Sequence, residues 1–144
     1  MDNKEFLLKK KWFWLITIFV LLGSISCVEI APTEKQTIDD VWVCNEIHED
    51  LGERKYYTEI TYNEEDSTQI YIFNFLGLSN DLTHDYYAVA NVSGTSITIP
   101  LQTIDNHQVK GSGEISDDYK TISFTYTDKL YETWSVTSDL ERME

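Results

Sequence analysis

Cysteine is almost missing from this chain: 144 residues contain only Cys27 and Cys44. With Cys27 at the end of an export leader, Cys44 has no intrachain partner, so no disulfide framework holds the fold. Basic residues are also scarce, 11 against 25 acids, for a net charge of −14. Four of the bases (Lys4, Lys9, Lys10, Lys11) and two of the acids (Asp2, Glu5) fall in the first 26 residues, which leaves seven bases against 23 acids, a net −16, on the rest. Nucleic-acid affinity comes from Lys and Arg neutralising phosphates, so a nucleic-acid partner is excluded. The acidity reads first as solubility and self-repulsion, and second as attraction for a cationic or Ca²⁺ ligand. Beyond Asp39 no dozen residues repeat at helical spacing, which removes amphipathic helices from the domain. Gly-x-Ser-x-Gly, Gly-x-x-x-x-Gly-Lys and His-Glu-x-x-His are all lacking, and paired carboxylates for glycoside chemistry do not stand out among so many acids. The expectation is a protein that is not an enzyme and carries no cofactor; a metal-binding or hydrolytic enzyme ranks third among the readings.

What is present begins with a leader. Lys9-Lys10-Lys11 precedes the apolar run Trp12–Leu22 and the small-residue stretch Gly23-Ser24-Ile25-Ser26-Cys27, the order of an export signal. A membrane-spanning helix needs about 20 apolar residues, and this run has eleven before Gly23. A cleaved signal is therefore favoured over an uncleaved anchor, with ordinary cleavage without lipid as a further alternative. With Ile25 and Ser26 before Cys27, the segment resembles a bacterial lipoprotein signal peptide. The resemblance implies that residues 1–26 are removed, that Cys27 carries the lipid, and that the protein sits in the cell envelope, anchored to the outer membrane. Residues 27–38, with Pro32 and no clear periodicity, read as a flexible tether, and 39–144 as the domain. The 118 residues left after cleavage can bury roughly 65% of their unfolded surface, enough for one core.

Within the domain, alternating runs bounded by turn residues recur about every 8–12 residues, the pattern of a sandwich or barrel. Strands are predicted near Val41–His48, Lys55–Tyr62, Thr68–Leu76, Tyr86–Val92, Ser96–Ile104, Gln108–Ile115, Thr121–Thr127 and Tyr131–Thr137. The links between them, among them Leu51-Gly52-Glu53, Ser93-Gly94, Asp105-Asn106 and Asp128-Lys129, are short, so neighbours should pair as hairpins. Pro100 cannot donate to a ladder and marks a bend. Ile97, Ile99, Val109, Gly111, Gly113, Ile115, Ile122, Phe124 and Tyr126 share one face, with polar residues between them. The inner glycines read as a barrel bend giving room to Trp42 or Trp134, or as a ligand niche. About eight meandering strands close a barrel and remove sheet edges, so the fold expected is all-β, a single small antiparallel up-and-down barrel.

Val41-Trp42, the stretch Val89-Ala90-Asn91-Val92-Ser93-Gly94-Thr95-Ser96-Ile97-Thr98-Ile99-Pro100, and Gly111-Ser112-Gly113 resemble small lipocalin-like lipoproteins of Gram-negative bacteria, over most of residues 40–137. The likeness implies a β-barrel and raises the prospect of a small apolar ligand.

Three groups of residues carry candidate chemistry. Cys44, Glu46 and His48 lie on one face of the first strand and offer thiol, carboxylate and imidazole to Zn²⁺ or Cu, against the plainer reading of a buried Cys44 and a rim-exposed His48. Asn80, Asp81, His84 and Asp85 offer oxygens for Ca²⁺ and are equally what a turn prefers. The third predicted strand is apolar on both faces, Ile70, Ile72 and Leu76 opposite Tyr71, Phe73 and Phe75, and the fourth sets Tyr87 and Val89 against Tyr86, Ala88, Ala90 and Val92. A barrel wall has one interior, so the second face needs a cover: residues 28–38, the C-terminal Asp139–Glu144, a membrane, another copy or a partner. Two functions follow. A hollow barrel with Tyr57, Tyr87 and Tyr131 at its mouth would bind a small ligand; a filled barrel with an apolar outer patch would be an interaction or assembly module, using Tyr71, Phe73, Phe75, Tyr86 and Tyr87. The second is favoured.

Overall fold

Alternation of apolar and polar residues is realised as eight antiparallel strands: β1 (Asp40–His48), β2 (Gly52–Tyr62), β3 (Gln69–Phe73), β4 (Tyr87–Ser93), β5 (Ser96–Ile104), β6 (His107–Ile115), β7 (Thr121–Lys129) and β8 (Thr133–Arg142). Each pairs with the next and β8 closes on β1, giving the expected up-and-down barrel. The computed structural model describes residues 37–79, 82 and 84–143, all within the compact unit Lys35–Glu144. The leader, Cys27 and the tether as far as residue 36 lie outside the described residues, as do Asn80 and Asp81 of the Ca²⁺ candidate.

Turn chemistry sets the register. Asp105 and Asn106 both take positive φ (43° and 70°), the two-residue hairpin geometry that matches strand twist. Gly52 and Gly94 supply positive φ at the ends of two other hairpins. The β1–β2 hairpin places Glu46 opposite Arg54, and the closing pair places Trp42 opposite Arg142. At the end where the chain enters, Trp42 Nε1 donates to the Ile38 carbonyl at 3.0 Å and the Arg142 guanidinium lies 5.0 Å from the Trp42 ring.

Pro100 makes the predicted bend. The β5–β6 register shifts between Ile99 and Gln102, and β4 pairs with β5 only through Asn91–Ser93. Where the backbones part, the Gln102 amide substitutes for a strand: its Nε2 donates to the Val89 carbonyl at 2.7 Å and its Oε1 accepts from the Val89 N–H at 2.8 Å. Gln102→Ala should therefore leave two backbone groups of β4 unpaired and cost about 2 kcal/mol. Hydrogen exchange at the Val89 amide should accelerate well beyond that of Ala88, and equal protection of the two would contradict this.

Several expectations are corrected. The third strand ends at Phe73, because Asn74 adopts the left-handed region (φ 53°) and a 3₁₀ turn, Phe75–Gly77, follows. This breaks the alternation, so Phe75 and Leu76 are both buried and Phe75 does not share the outer face with Tyr71 and Phe73. The seventh strand runs through Asp128-Lys129, predicted as a turn, and the eighth begins at Thr133 and continues to Arg142. Residues 139–142 are thus barrel wall and do not fold over β3 and β4. The inner glycines make room for β7 rather than for Trp42 or Trp134: Gly111 for the close approach of its backbone at Thr125 and Tyr126, and Gly113 for the Phe124 ring opposite it.

The remaining inner-face assignments hold: Ile97, Ile99, Val109, Ile115, Ile122, Phe124 and Tyr126 are buried together with Trp42, Ile60, Ile70, Ile72, Ala88 and Ala90. Between Cys44, Tyr56, Thr58, Ile72, Phe75 and Phe124 there remains a space of about 10 Å³, at the lower limit for a single water.

Candidate functional site

One end of the barrel carries the turn after β1, the long connection from Asn74 to Tyr86, and the hairpin tips after β5 and β7. Polar side chains of the inner face gather here. Cys44, Glu46 and His48 project inward from β1 as their spacing predicts, and all three are buried; the expectation of a rim-exposed His48 is overturned, for its side chain is 2% exposed. Glu46 is the centre of a network. Its Oε1 accepts from Arg54 Nε at 3.0 Å and from Arg54 Nη2, and its Oε2 accepts from Tyr56 Oη at 2.6 Å and from Tyr126 Oη. Burial, followed by the charges and ionisable groups around them, Glu46 among these, raises both phenols well above their usual range, so Tyr56 and Tyr126 remain hydrogen-bond donors. Burial works to lower Arg54, but the hydrogen bond and charge of Glu46 outweigh it and raise this guanidinium instead. The Cys44 thiol is pushed up to about 12, chiefly by burial. It is a packed hydrophobe with a weak donor, and neither a ready nucleophile nor a ready ligand.

His48 belongs to a separate cluster. Its Nδ1 accepts from the backbone N–H of Asp50 (3.1 Å) and Leu51 (3.2 Å), so the ring proton resides on Nε2, which faces Asp128 Oδ2 at 3.3 Å. His107 Nδ1 lies 2.8 and 2.9 Å from the two Asp128 oxygens. One buried carboxylate thus orients two imidazoles and ties β7 to β1 and β6. Cys44, Glu46 and His48 share a face, but Glu46 is committed to Arg54, Tyr56 and Tyr126 and His48 to Asp128, and no group of three His, Cys, Asp or Glu arranged to hold a metal ion occurs among the described residues. Arg54 and Tyr56 were not singled out in the sequence, and His107 and Asp128 were read as turn residues, whereas they belong to β6 and β7; the inward parity of Arg54 with Thr58 and Ile60 was the available signal, since an inward charge calls for a partner.

Bordering this network at Arg54 and Tyr56, a cleft of about 370 Å³ opens where β2 runs on past its short pairing with β3, with Lys55 and Tyr57 also on that side and Asn74, Gly77, Ser79 and Leu82 on the other. Asn74 holds the two sides together: its Nδ2 donates to the Tyr57 carbonyl at 2.8 Å, and its Oδ1 accepts from the Ser79 N–H at 2.9 Å.

The outer face of β3 and β4 is aromatic. Tyr71 and Phe73 point away from the core, as does Tyr87, which is 41% exposed. Tyr71 meets Tyr87 edge-on (5.6 Å, 82°), Phe73 is tilted against Tyr87 (5.7 Å), and His84 stacks on Phe73 (4.0 Å, 25°) while its Nε2 lies 3.1 Å from Glu59 Oε2. Tyr86 packs inward against the core and does not belong to this face. Tyr57 and Tyr131, expected at a mouth with Tyr87, also face solvent, at 54% and 91% exposure.

In comparisons with known proteins, no family model and no curated protein matches this chain.

Proposed function

We propose that the protein is a lipid-anchored envelope lipoprotein, held to the outer membrane through Cys27, whose barrel is a non-catalytic interaction module that docks a protein partner on the outer face of β3 and β4. The observation that carries this reading is the combination of a core closely packed by its own side chains among the described residues with contiguous aromatic rings on the outer wall. A stable monomer has little cause to leave an exposed Tyr87 beside the half-buried Tyr71 and Phe73 on its outer wall, and tyrosine is enriched at the energetic centres of interfaces. The 370 Å³ cleft lends some support to a small-ligand barrel, but the Arg54 guanidinium that borders it is already held by Glu46.

One experiment tests both halves. In cells carrying a tagged copy, Cys27→Ala should release the protein from the membrane fraction, whereas Tyr71→Ser with Tyr87→Ser should leave it on the membrane and abolish its cross-linked complex. Those two outward substitutions should change stability by less than about 1 kcal/mol. Membrane retention of the Cys27 variant would remove the anchor; an undiminished complex in the tyrosine variant would remove the docking face.

A further inference from the structure

The partner's chemistry can be read from the charge around this same face, an inference that rests on the docking function just proposed. From Tyr56 to Val109 the chain holds seven acids (Glu59, Glu64, Glu65, Asp66, Asp81, Asp85, Asp105) and neither Lys nor Arg. That stretch supplies most of β2 and all of β3, β4 and β5, so the wall that presents the aromatic rings carries no fixed positive charge of its own. Ring faces are the negative side of an aromatic quadrupole, and here Tyr87 lies edge-on to Tyr71 and tilted to Phe73, while Tyr71 and Phe73 are stacked at 6.2 Å, with a carboxylate, Glu59, adjoining through His84. We infer that the face accepts arginine or lysine side chains from an extended basic segment of a protein partner, held by cation–π contacts with Tyr71 and Tyr87 and steered by the acidic surface.

Charge decides between the possible occupants. A second copy would bring another chain with net −16 beyond its leader against this one, and an anionic lipid surface would be repelled in the same way. A basic segment is attracted at long range by the whole domain and at contact by the rings. Arginine is the natural counterpart, because its flat, weakly hydrated guanidinium stacks on aromatic faces and is enriched beside tyrosine at interface centres.

Calorimetric titration of the mature lipidated protein in detergent, at about 0.15 M salt to screen distant charges, tests this. The probe is a six-residue capped peptide alternating arginine and serine, and its control carries the neutral isostere citrulline in place of arginine. The arginine peptide should bind at least about tenfold more tightly than the citrulline peptide, and the Tyr71→Ser, Tyr87→Ser protein should lose about tenfold in arginine-peptide affinity. Tyr87→Ser alone, at an exposed position, should lose part of that affinity, while Glu114→Gln, a charge removed from β6, should lose little. Equal binding of the two peptides, no measurable arginine binding, or an arginine affinity indifferent to the tyrosines would each overturn the basic partner. If envelope cross-linking still depends on Tyr71 and Tyr87 in such a case, the docking reading survives; if it does not, both fail.

Discussion

Gly111→Ala is expected to cost about 3 kcal/mol, at the upper end of overpacking substitutions, although only one carbon is added. A Cβ built on Gly111 would fall 2.4 Å from the Thr125 carbonyl oxygen, 2.4 Å from Tyr126 Cβ and 2.7 Å from Tyr126 Cα. None of these atoms can rotate away, since each belongs to the backbone of β7 or is fixed to it. The two strands would have to part at the Gly111–Tyr126 pair, and Tyr126 is also a donor to Glu46. Gly113→Ala should cost less, because its nearest contact at 2.4 Å is the Phe124 ring, which can turn, with the Ser123 carbonyl at 2.9 Å. Gly94→Ala meets open space and suffers only the strain of positive φ, about 1 kcal/mol. Urea midpoints should rank the three in that order. A Gly111→Ala midpoint equal to that of Gly94→Ala would mean that the barrel yields there, and that the glycine is not required by close approach of the strands.

These glycines also mark where sequence reasoning reached its limit. Period-two alternation is enough to place Gly111 and Gly113 on the inner face, because parity depends only on neighbours along one strand. What fills the vacated space depends on the register with β7, and register is a long-range property; hence the large tryptophans were favoured when the true neighbours are the opposed β7 backbone at Tyr126 and the Phe124 ring. The barrel itself was legible for the same reason that Gly111 was: short links force adjacent pairing, and eight paired strands close. Phe75 was misplaced because a single left-handed Asn74 resets parity, and asparagine tolerates that conformation without announcing it. Ile70 and Ile72 against Tyr71 and Phe73 were separable as two faces, and only burial could say that the aromatic one is outside. His48 was expected at the rim because a strand end often is exposed, whereas Asp128, thought to be a turn residue, continues β7 and covers it. Cys44, Glu46 and His48 were correctly found on one face. Their chemistry was not legible, since the partners of Glu46 and His48 come from β2 and β7.

Glu46→Ala is the second large effect expected, a loss of about 3 kcal/mol, the lower end for breaking a buried ion pair. Glu46 has a fully buried side chain, while that of Arg54 keeps 25% exposure and can recover some hydration through the neighbouring cleft. Tyr126, buried away from the cleft, cannot, and Tyr56, which borders the cleft, can do so only in part. Their raised ionisation keeps both phenols protonated, so loss of the carboxylate leaves two O–H donors without their acceptor, that of Tyr126 in the core. Glu46→Gln keeps an acceptor and the shape but not the charge, and should fall between wild type and alanine. The same logic predicts coupling: in a Tyr126→Phe background one donor is already gone, so Glu46→Ala should cost about 1 kcal/mol less there than in wild type. Replacing Glu46 by leucine and Tyr126 by phenylalanine together should recover part of the loss, since it is the stranded donor, more than the missing attraction, that destabilises. Chemical denaturation of the set, with unchanged slopes, measures each step. If Glu46→Ala were neutral and showed no coupling to Tyr126, water entering from the cleft would have to serve all three donors, and this end of the barrel would be a wet pocket; its filled character, on which the choice of an outer docking face depends, would then fail as well.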